Sequence, residues 1–566
     1  MDPNAEDRPP SVEVVEIDME AKSEPAATTC SSAPSPPRPD FGSRQSPLVP
    51  PPLQAPLASS IFRNAVDPNK ATLTPSEPMP EDPEKIRQWQ EEEFQRKLRG
   101  EYEQAQRRVG DIVTSNMDRP LRLSSIRLAP PPPITRSSFL SSLLSSFLTS
   151  VSPHTPSFLN PAPPSPQNLH EVLLTTRAIV QHLDKFGIYD MERVGVRLEP
   201  RRGGDPDEVE MVLGLKEKGR LFMKAGTEVG GGEGGGNVTA RIRNIFGGAE
   251  TLEGNASIGT KTKSAYQIAL STPLFTSPLL SFALSAFSLD RDNSAFASHR
   301  ERSQGGRAKL SAILPWGTHD LQYELVNREI SHLTPTASVS IRELAIPSTK
   351  SSVSHTWTSD TRDDLWMGTG GRLLKLTHEY AGLPGSSELA HFFKSTTQSQ
   401  LSRALYPGSS IHYSISSLTT CLFPLFRASA GSSTYLPDRT YLGGPNSVRG
   451  WKVGGLGRRD GPDSLGGDLS WALGLSVLAP VPTKEHWPLR LHGFLNGGKV
   501  VAYDITRSFT DNITKMYRSP NLSVGVGLMY RLEPIRIEVN FSMPLIGRKG
   551  ERTARGLGVG VGIEFL

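Results

Sequence analysis

Cysteine, long apolar runs and charge of one sign are all scarce in this chain of 566 residues. Two cysteines, Cys30 and Cys421, exclude a disulfide scaffold and a zinc site built on cysteine. No stretch of about twenty residues is both apolar and free of breakers, which excludes helical membrane spans. The nearest approach, 269–289, is interrupted by Pro273 and Pro278. A formal net charge of +4 points to no particular partner. Glycine is almost missing from the first 186 residues, which hold three of the 51 glycines but 29 of the 48 prolines. The negative mean hydropathy, −0.34, leaves one membrane class open, because the strands of a transmembrane β-barrel are apolar on one face only. The length implies at least two units plus tails.

Residues 1–83 are rich in Pro, Ser and Ala, with no periodic apolar pattern. Such a segment cannot bury enough surface to offset its ordering entropy and is expected to be a disordered tail. Its first 24 residues carry eight acids against Arg8 and Lys22, the reverse of a mitochondrial presequence, and have no secretory pattern. Any organelle address is therefore expected inside the folded part. Residues 84–118 form a charged helix and linker, with Ile86, Phe94, Leu98 and Ala105 at helical spacing over 84–108.

Residues 119–219 read as a small two-layer α/β domain with a Pro/Ser-rich insertion at 151–167. Its expected elements are a strand at 121–128, a helix at 137–149, a helix opened by Asn168 and stopped by Gly187, and strands at 191–198 and 209–215. Helix packing on its own sheet is the better reading of the apolar stripe, with a peptide groove as the rival.

From about residue 220 to 566 the chain alternates repeatedly. Ile535, Ile537, Val539 and Phe541 are interleaved with Arg536, Glu538 and Asn540; Leu557, Val559, Val561, Ile563 and Phe565 with Gly558, Gly560, Gly562 and Glu564. A period of two places one apolar face on each strand. A soluble sandwich would solvate the other face with charge, whereas here that face is often Gly or Ser, as in a polar barrel lumen. At roughly twenty residues per strand and loop, the segment holds about sixteen antiparallel strands. The fold class expected is an all-β transmembrane barrel.

Catalytic and cofactor signatures fail. The run GGGEGGG lacks the Lys-Ser/Thr of a phosphate loop, and His378-Glu379 lacks a second histidine four residues on. Asp360, Asp363 and Asp364 beside Arg362 read as a charged loop, not a metal site. Basic pairs such as Arg458-Arg459 lack the aromatic interleaving of a nucleic-acid site. No enzyme activity, cofactor, metal or nucleic acid is expected.

Three segments carry a resemblance: GTEVGGGEGGGNVTARIRNIFGGAETLEGNASIGTKTK over 226–263, HTWTSDTRDDLW and LTHEYAGLPG over 355–385, and GGPNSVRGWKVGGLGRRDGPDSLGGDLSWALGLSVLAPVP over 443–482. Together they resemble the Omp85 superfamily, specifically the core barrel of the mitochondrial sorting and assembly machinery, of fungal type. The resemblance covers about 121–566 and places the α/β module where that family has a single POTRA domain. It implies an integral barrel of the mitochondrial outer membrane, with the POTRA domain and N-terminus in the intermembrane space. The implied activity is folding and inserting β-barrel precursor proteins, recognised by a terminal β-strand signal, in company with accessory subunits and the lipid bilayer. An Omp85-type translocation pore or a passive outer-membrane channel is the alternative.

The resemblance also implies a lateral seam where the first and last strands meet. The first strand is expected at 237–246, with Val238, Ala240 and Ile242, and the last at 556–565, with Gly558, Gly560, Gly562, Ile563 and Phe565. Val448, Arg449, Gly450 and Trp451 match the tip of the family's sixth loop, which folds into the lumen; Trp451 replaces the more usual Phe or Tyr. An arginine there needs a partner. Asp468 and Glu538 are both candidates.

Overall fold

The computed structural model describes residues 15–17, 87–95 apart from 89 and 93, 101–148 and 168–562, the last with gaps at 202, 204, 231–232, 365–366, 384–388, 426–433, 483, 485–486 and 533–534. The tail at 1–83 lies outside the described residues except for a short strand, β1 (Val15–Ile17). The insertion at 151–167 and the chain end with Ile563 and Phe565 also lie outside them. Helical residues occur between 87 and 95, and α1 (Glu101–Ser115) carries helix past 108, where Ile112 and Val113 pack on the next domain.

That domain has a three-stranded sheet with two helices on one face. Its elements are β2 (Arg122–Leu128), α2 (Ser137–Leu148), α3 (Leu169–Asp184), β3 (Gly195–Pro200) and β4 (Glu208–Gly214). β4 is central, parallel to β2 and antiparallel to β3. Leu140, Leu143, Phe147, Val172, Ile179 and Leu183 bury the helical faces against Leu123, Val209, Met211 and Leu213. Two local expectations are corrected. Residues 191–193 form a single 3-10 turn, closed by the Arg193 amide on the Asp190 carbonyl, so the strand begins at Gly195. Asn168 holds the N-cap position with extended backbone, but its side chain makes no capping bond.

The glycine-rich half forms a sheet with β5 (Leu221–Gly230), β6 (Glu233–Arg243), β7 (Thr251–Gly259), β8 (Thr262–Leu274), β9 (Ser277–Asp292), β10 (Arg300–Leu314), β11 (Gly317–Ser331), β12 (Ser348–Asp360), β13 (Gly371–Ala381), β14 (Phe392–Ala404) and β15 (His412–Pro424). A small hairpin, β16 (Arg459–Asp460) with β17 (Asp463–Ser464), stands apart from it. The wall continues through β18 (Leu469–Pro480), β19 (Leu489–Val501), β20 (Asn521–Leu532), β21 (Ile535–Ile546) and β22 (Gly556–Gly562). The sheet has 17 strands, of which sixteen make the barrel and β1 is the addition.

Each barrel strand pairs antiparallel with its neighbour in chain order. Outward side chains are apolar and exposed, as at Val524, Val526, Leu528 and Tyr530, while inward Ser523 is fully buried. This parity is that of a lipid-facing exterior around a polar interior. Among the described residues no helix is long and apolar enough to cross a membrane.

The expected first strand is corrected. Val238, Ala240 and Ile242 lie on β6, which is paired on both edges, to β5 and to β7. The first barrel strand is β5. Its Lys224, Gly226 and Glu228 blur the alternation, and the glycine run includes the end of β5 and the start of β6. β22 lies beside β5 and closes the sheet. Among the described residues no register of paired residues joins these two strands, whereas β1 pairs with β5 through Val15 opposite Ala225 and Ile17 opposite Met223.

The α/β domain is tied to the β6–β7 connection. The Arg136 amide donates to the Gly247 carbonyl at 2.8 Å, the Arg136 guanidinium pairs with Glu250 at 2.7 Å, and Asn244 Nδ2 donates to Thr135 Oγ1 at 2.9 Å. The Tyr189 hydroxyl also reaches Thr135, and burial pushes its phenol up to about 12. Gly247 has φ +84°, and a Cβ there would sit 2.6 Å from the Ile134 carbonyl oxygen. Gly247→Ala is therefore expected to loosen the domain from the barrel while both stay folded, seen as faster hydrogen exchange at the Arg136 amide; unchanged exchange there would refute it.

In α3, His182 lies against Phe147 and Phe186 and reaches the backbone of Thr276 in the β8–β9 hairpin. Burial, then the nearby charge of Lys185, lowers its pKa from 6.5 to about 4. The folded state thus resists a proton that the unfolded chain accepts, so stability is full above pH 6.5 and falls as pH drops toward 4. Exchange protection in α3 should weaken over that window, and His182→Phe should flatten the dependence.

Candidate functional site: a loop anchored in the lumen beside the seam

The connection between β15 and β18 enters the barrel in its described part, 434–468. At its tip Val448, Arg449 and Trp451 are buried, and Gly450 has φ +90°. A Cβ on Gly450 would meet the Ser523 Cβ at 3.0 Å, so the tip passes the wall where only glycine fits. Trp451 packs with Leu442, Val448, Leu456, Ala472 and Val500.

Arg449 meets Glu538, not Asp468. Its Nη2 lies 2.7 Å from Glu538 Oε2, with both side chains almost fully buried. Nη1 donates to Asn496 Oδ1 at 3.3 Å, and the guanidinium carbon sits 4.9 Å from the centre of the Phe494 ring. Glu538 is also held by Arg536 at 2.7 Å and by Asn540 Nδ2 at 2.7 Å. One carboxylate therefore balances two guanidiniums. Across the ladder from Phe494, Gly525 has no side chain; a Cβ there would lie 2.3 Å from the Phe494 ring. The lumenal glycine makes room for the ring on which Arg449 rests. Asp468 serves the other end of the connection, where it accepts from the Thr434 hydroxyl and from the Tyr503 amide at 2.9 Å.

A second anchor lies higher in the loop. Arg328 of β11 forms a two-pronged pair with Asp438 at 2.6 and 3.0 Å, and Lys394 Nζ donates to the Asp438 carbonyl at 2.9 Å. A third clasps the β16–β17 hairpin to α4 (Val339–Leu344): the Ser338 amide donates to Asp463 at 2.7 Å and the Ser340 amide to Asp460 at 3.2 Å. The loop also touches the seam, because Asn446 Nδ2 donates to the Val561 carbonyl of β22 at 3.1 Å.

The Omp85 superfamily domain matches residues 244–565. A SAM50-like protein of Schizosaccharomyces pombe is 33% identical over 81% of this chain and 94% of its own length. This chain belongs to the Omp85 superfamily and, within it, to the SAM50-like proteins. The human sorting and assembly machinery component 50 homolog is 29% identical over 71% of the chain and 84% of its own length. The crystal structure of BamA from Haemophilus ducreyi lacking POTRA domains 1–3 superposes with a TM-score of 0.63 at 16% identity, covering 78% of this chain and 84% of that one. That likeness establishes the shared barrel fold.

Sequence reading places Val448–Trp451 and Glu538 in this Omp85 lumen but misses Asn496, Phe494, Arg328 and Asp438. The alternation of His492, Phe494 and Asn496 with Leu491 and Leu495 carries the signal for the first two. Nothing in Leu436-Pro437-Asp438 marks a charge partner for Arg328, which lies on β11 with five elements between. Among the described residues no group of three or more His, Cys, Asp or Glu is placed to hold a metal.

Breaking a buried ion pair costs about 3–5 kcal/mol because the remaining charge is stranded. Arg449→Met is expected to lower barrel stability by that amount, read as a lower heat-modifiability temperature. Glu538→Gln should cost more, since it removes the carboxylate charge that both Arg449 and Arg536 contact. A Glu538→Gln barrel as stable as the wild type would refute this arrangement.

Proposed function

We propose that this SAM50-like barrel folds and inserts β-barrel precursor proteins by presenting the outer edge of β5 to a client's terminal strand. It is a β-barrel of the mitochondrial outer membrane and a core component of the sorting and assembly machinery, and it is not an enzyme. The observation that carries the seam reading is the edge of β5 itself. Met223–Ala225 accept an added strand, β1, on the side that faces β22. A client strand has unsatisfied amides and carbonyls that are costly in hydrocarbon, and this edge offers them partners. β22 is suited to yield, with Gly556, Gly558, Gly560 and Gly562 at alternate positions, where glycine weakens side-chain packing.

The α/β domain is the POTRA domain in this reading and lies at the barrel end with the tight hairpins 275–276 and 315–316. That end faces the intermembrane space, from which precursors arrive, and the long connections face the cytosol and the accessory subunits. A passive channel is disfavoured, because the loop with buried Val448, Arg449 and Trp451 occupies the interior.

Two experiments test this. Depleting the protein should block membrane insertion of imported barrel precursors; normal insertion would sink the proposal. Cysteines at Met223 or Ala225 should cross-link to a client's terminal strand, whereas cysteines at Val238 and Ala240 of β6 should not. Cross-links confined to β6 would reject the edge while leaving the function standing.

A further inference from the structure

The connection between β19 and β20, residues 502–520, does not stand above the barrel but folds down over the outside of its wall. Parity settles the side. Leu473, Leu475 and Val477 of β18 face outward and are exposed, and Trp471 shares their parity. Leu491 and Leu495 of β19 are likewise outward, and so are Lys499 and Val501; Ile415 of β15 places Phe423 outward in the same way. These rim residues are covered by α5 (Phe509–Tyr517) and its flanks. Trp471 Nε1 donates to the Met516 carbonyl at 2.8 Å, and its ring lies 5.6 Å from that of Tyr517. Phe423 packs on Tyr503 and on Phe509, both at 5.6 Å, and Met516 is buried with Leu469 and Val501.

The helix therefore lies at the edge of the apolar band, with Trp471 between the two. Its far side exposes Phe509, Tyr517 and nearby Ile505. The charges are asymmetric. Lys499 Nζ donates to the carbonyls of Lys515 and Arg518, satisfying the negative end of the helix from within the wall. Lys515, Arg518 and Arg548 then surround it, and Arg518 and Arg548 are exposed. The nearby acids are engaged: Asp504 pairs with Arg507, and Glu551 accepts from Asn521 and Gly457. Asp511 lies in the opposite, first turn.

Aromatic side chains on a barrel exterior, next to an apolar band and beside cations that form no ion pair among the described residues, match the headgroup layer of a bilayer. We propose that α5 and its rim form an interfacial binding site for anionic phospholipid, with Phe509 and Tyr517 at headgroup depth and Lys515, Arg518 and Arg548 on the lipid phosphate. Charge complementarity and continuity with the lipid-facing band select the bilayer as the occupant.

The test uses the full-length protein in nanodiscs of phosphatidylcholine with and without phosphatidylglycerol. Each basic side chain at an anionic surface contributes roughly fivefold in affinity. The triple variant Lys515→Gln, Arg518→Gln, Arg548→Gln is therefore expected to lose on the order of a hundredfold in preference for phosphatidylglycerol, measured with spin-labelled lipid. Lys499 is left intact because it secures the helix, and equal heat-modifiability confirms that the variant is folded. A spin label at Phe509→Cys, with Cys30→Ser and Cys421→Ser, should relax faster with oxygen than with a water-soluble nickel chelate. Wild-type lipid preference in the triple variant would overturn the proposal. So would a label relaxed mainly by the nickel chelate, which would place Phe509 in water.

Discussion

In hydrocarbon an unpaired strand edge has no water to turn to, and this requirement governs the whole glycine-rich half of the chain. Fifteen consecutive interfaces, from β5–β6 to β21–β22, meet it with antiparallel ladders. The remaining interface is where the two ends of the barrel segment meet. It differs from the rest because the chain does not enforce it: no hairpin joins β22 to β5, and β22 is rich in glycine. The proposed function sits at this interface, which no turn of the chain closes.

Closure creates a second problem, since a barrel of this size encloses a wide polar interior. The long connection after β15 fills part of it, but a loop arginine inside a barrel must be compensated. Glu538 of β21 and, from β19, Asn496 and the Phe494 ring compensate Arg449 from two strands. The absence of a side chain at Gly525 leaves the space in which Phe494 sits. Arg328 and Asp438 hold the loop farther up. The interior is thus a set of charge pairs built across strands distant in sequence.

The degree to which sequence exposes these features follows from how local each one is. Alternation in β20, β21 and β22 is a property of neighbouring residues, so the barrel class, its wall and the inward direction of Glu538 are all legible. Omp85 resemblance supplied the lumenal tip. Where local pattern is weak, reading fails: β5 mixes Lys224 and Glu228 with glycine, so the expected first strand falls one strand too late. The choice of Glu538 over Asp468 depends on which strand the loop tip passes, and pairing of Arg328 with Asp438 depends on closure of the whole sheet. Neither is encoded in any short window. The same holds for the seat of α5, which is set by Trp471 and Phe423 on strands distant in sequence.

The bond from Asn446 to the Val561 carbonyl makes the loop and the last strand mechanically one part. Arg449 lies three residues along the same tip, so displacement of β22 pulls on a segment whose other end is locked in the lumen. A neutral hydrogen bond contributes only about 1 kcal/mol, against several for the stranded charge of a broken buried pair. The weaker link therefore gives way first. The arrangement behaves as a latch with a soft catch on the moving strand and a hard hinge in the wall, so the seam can be released without dislodging the loop.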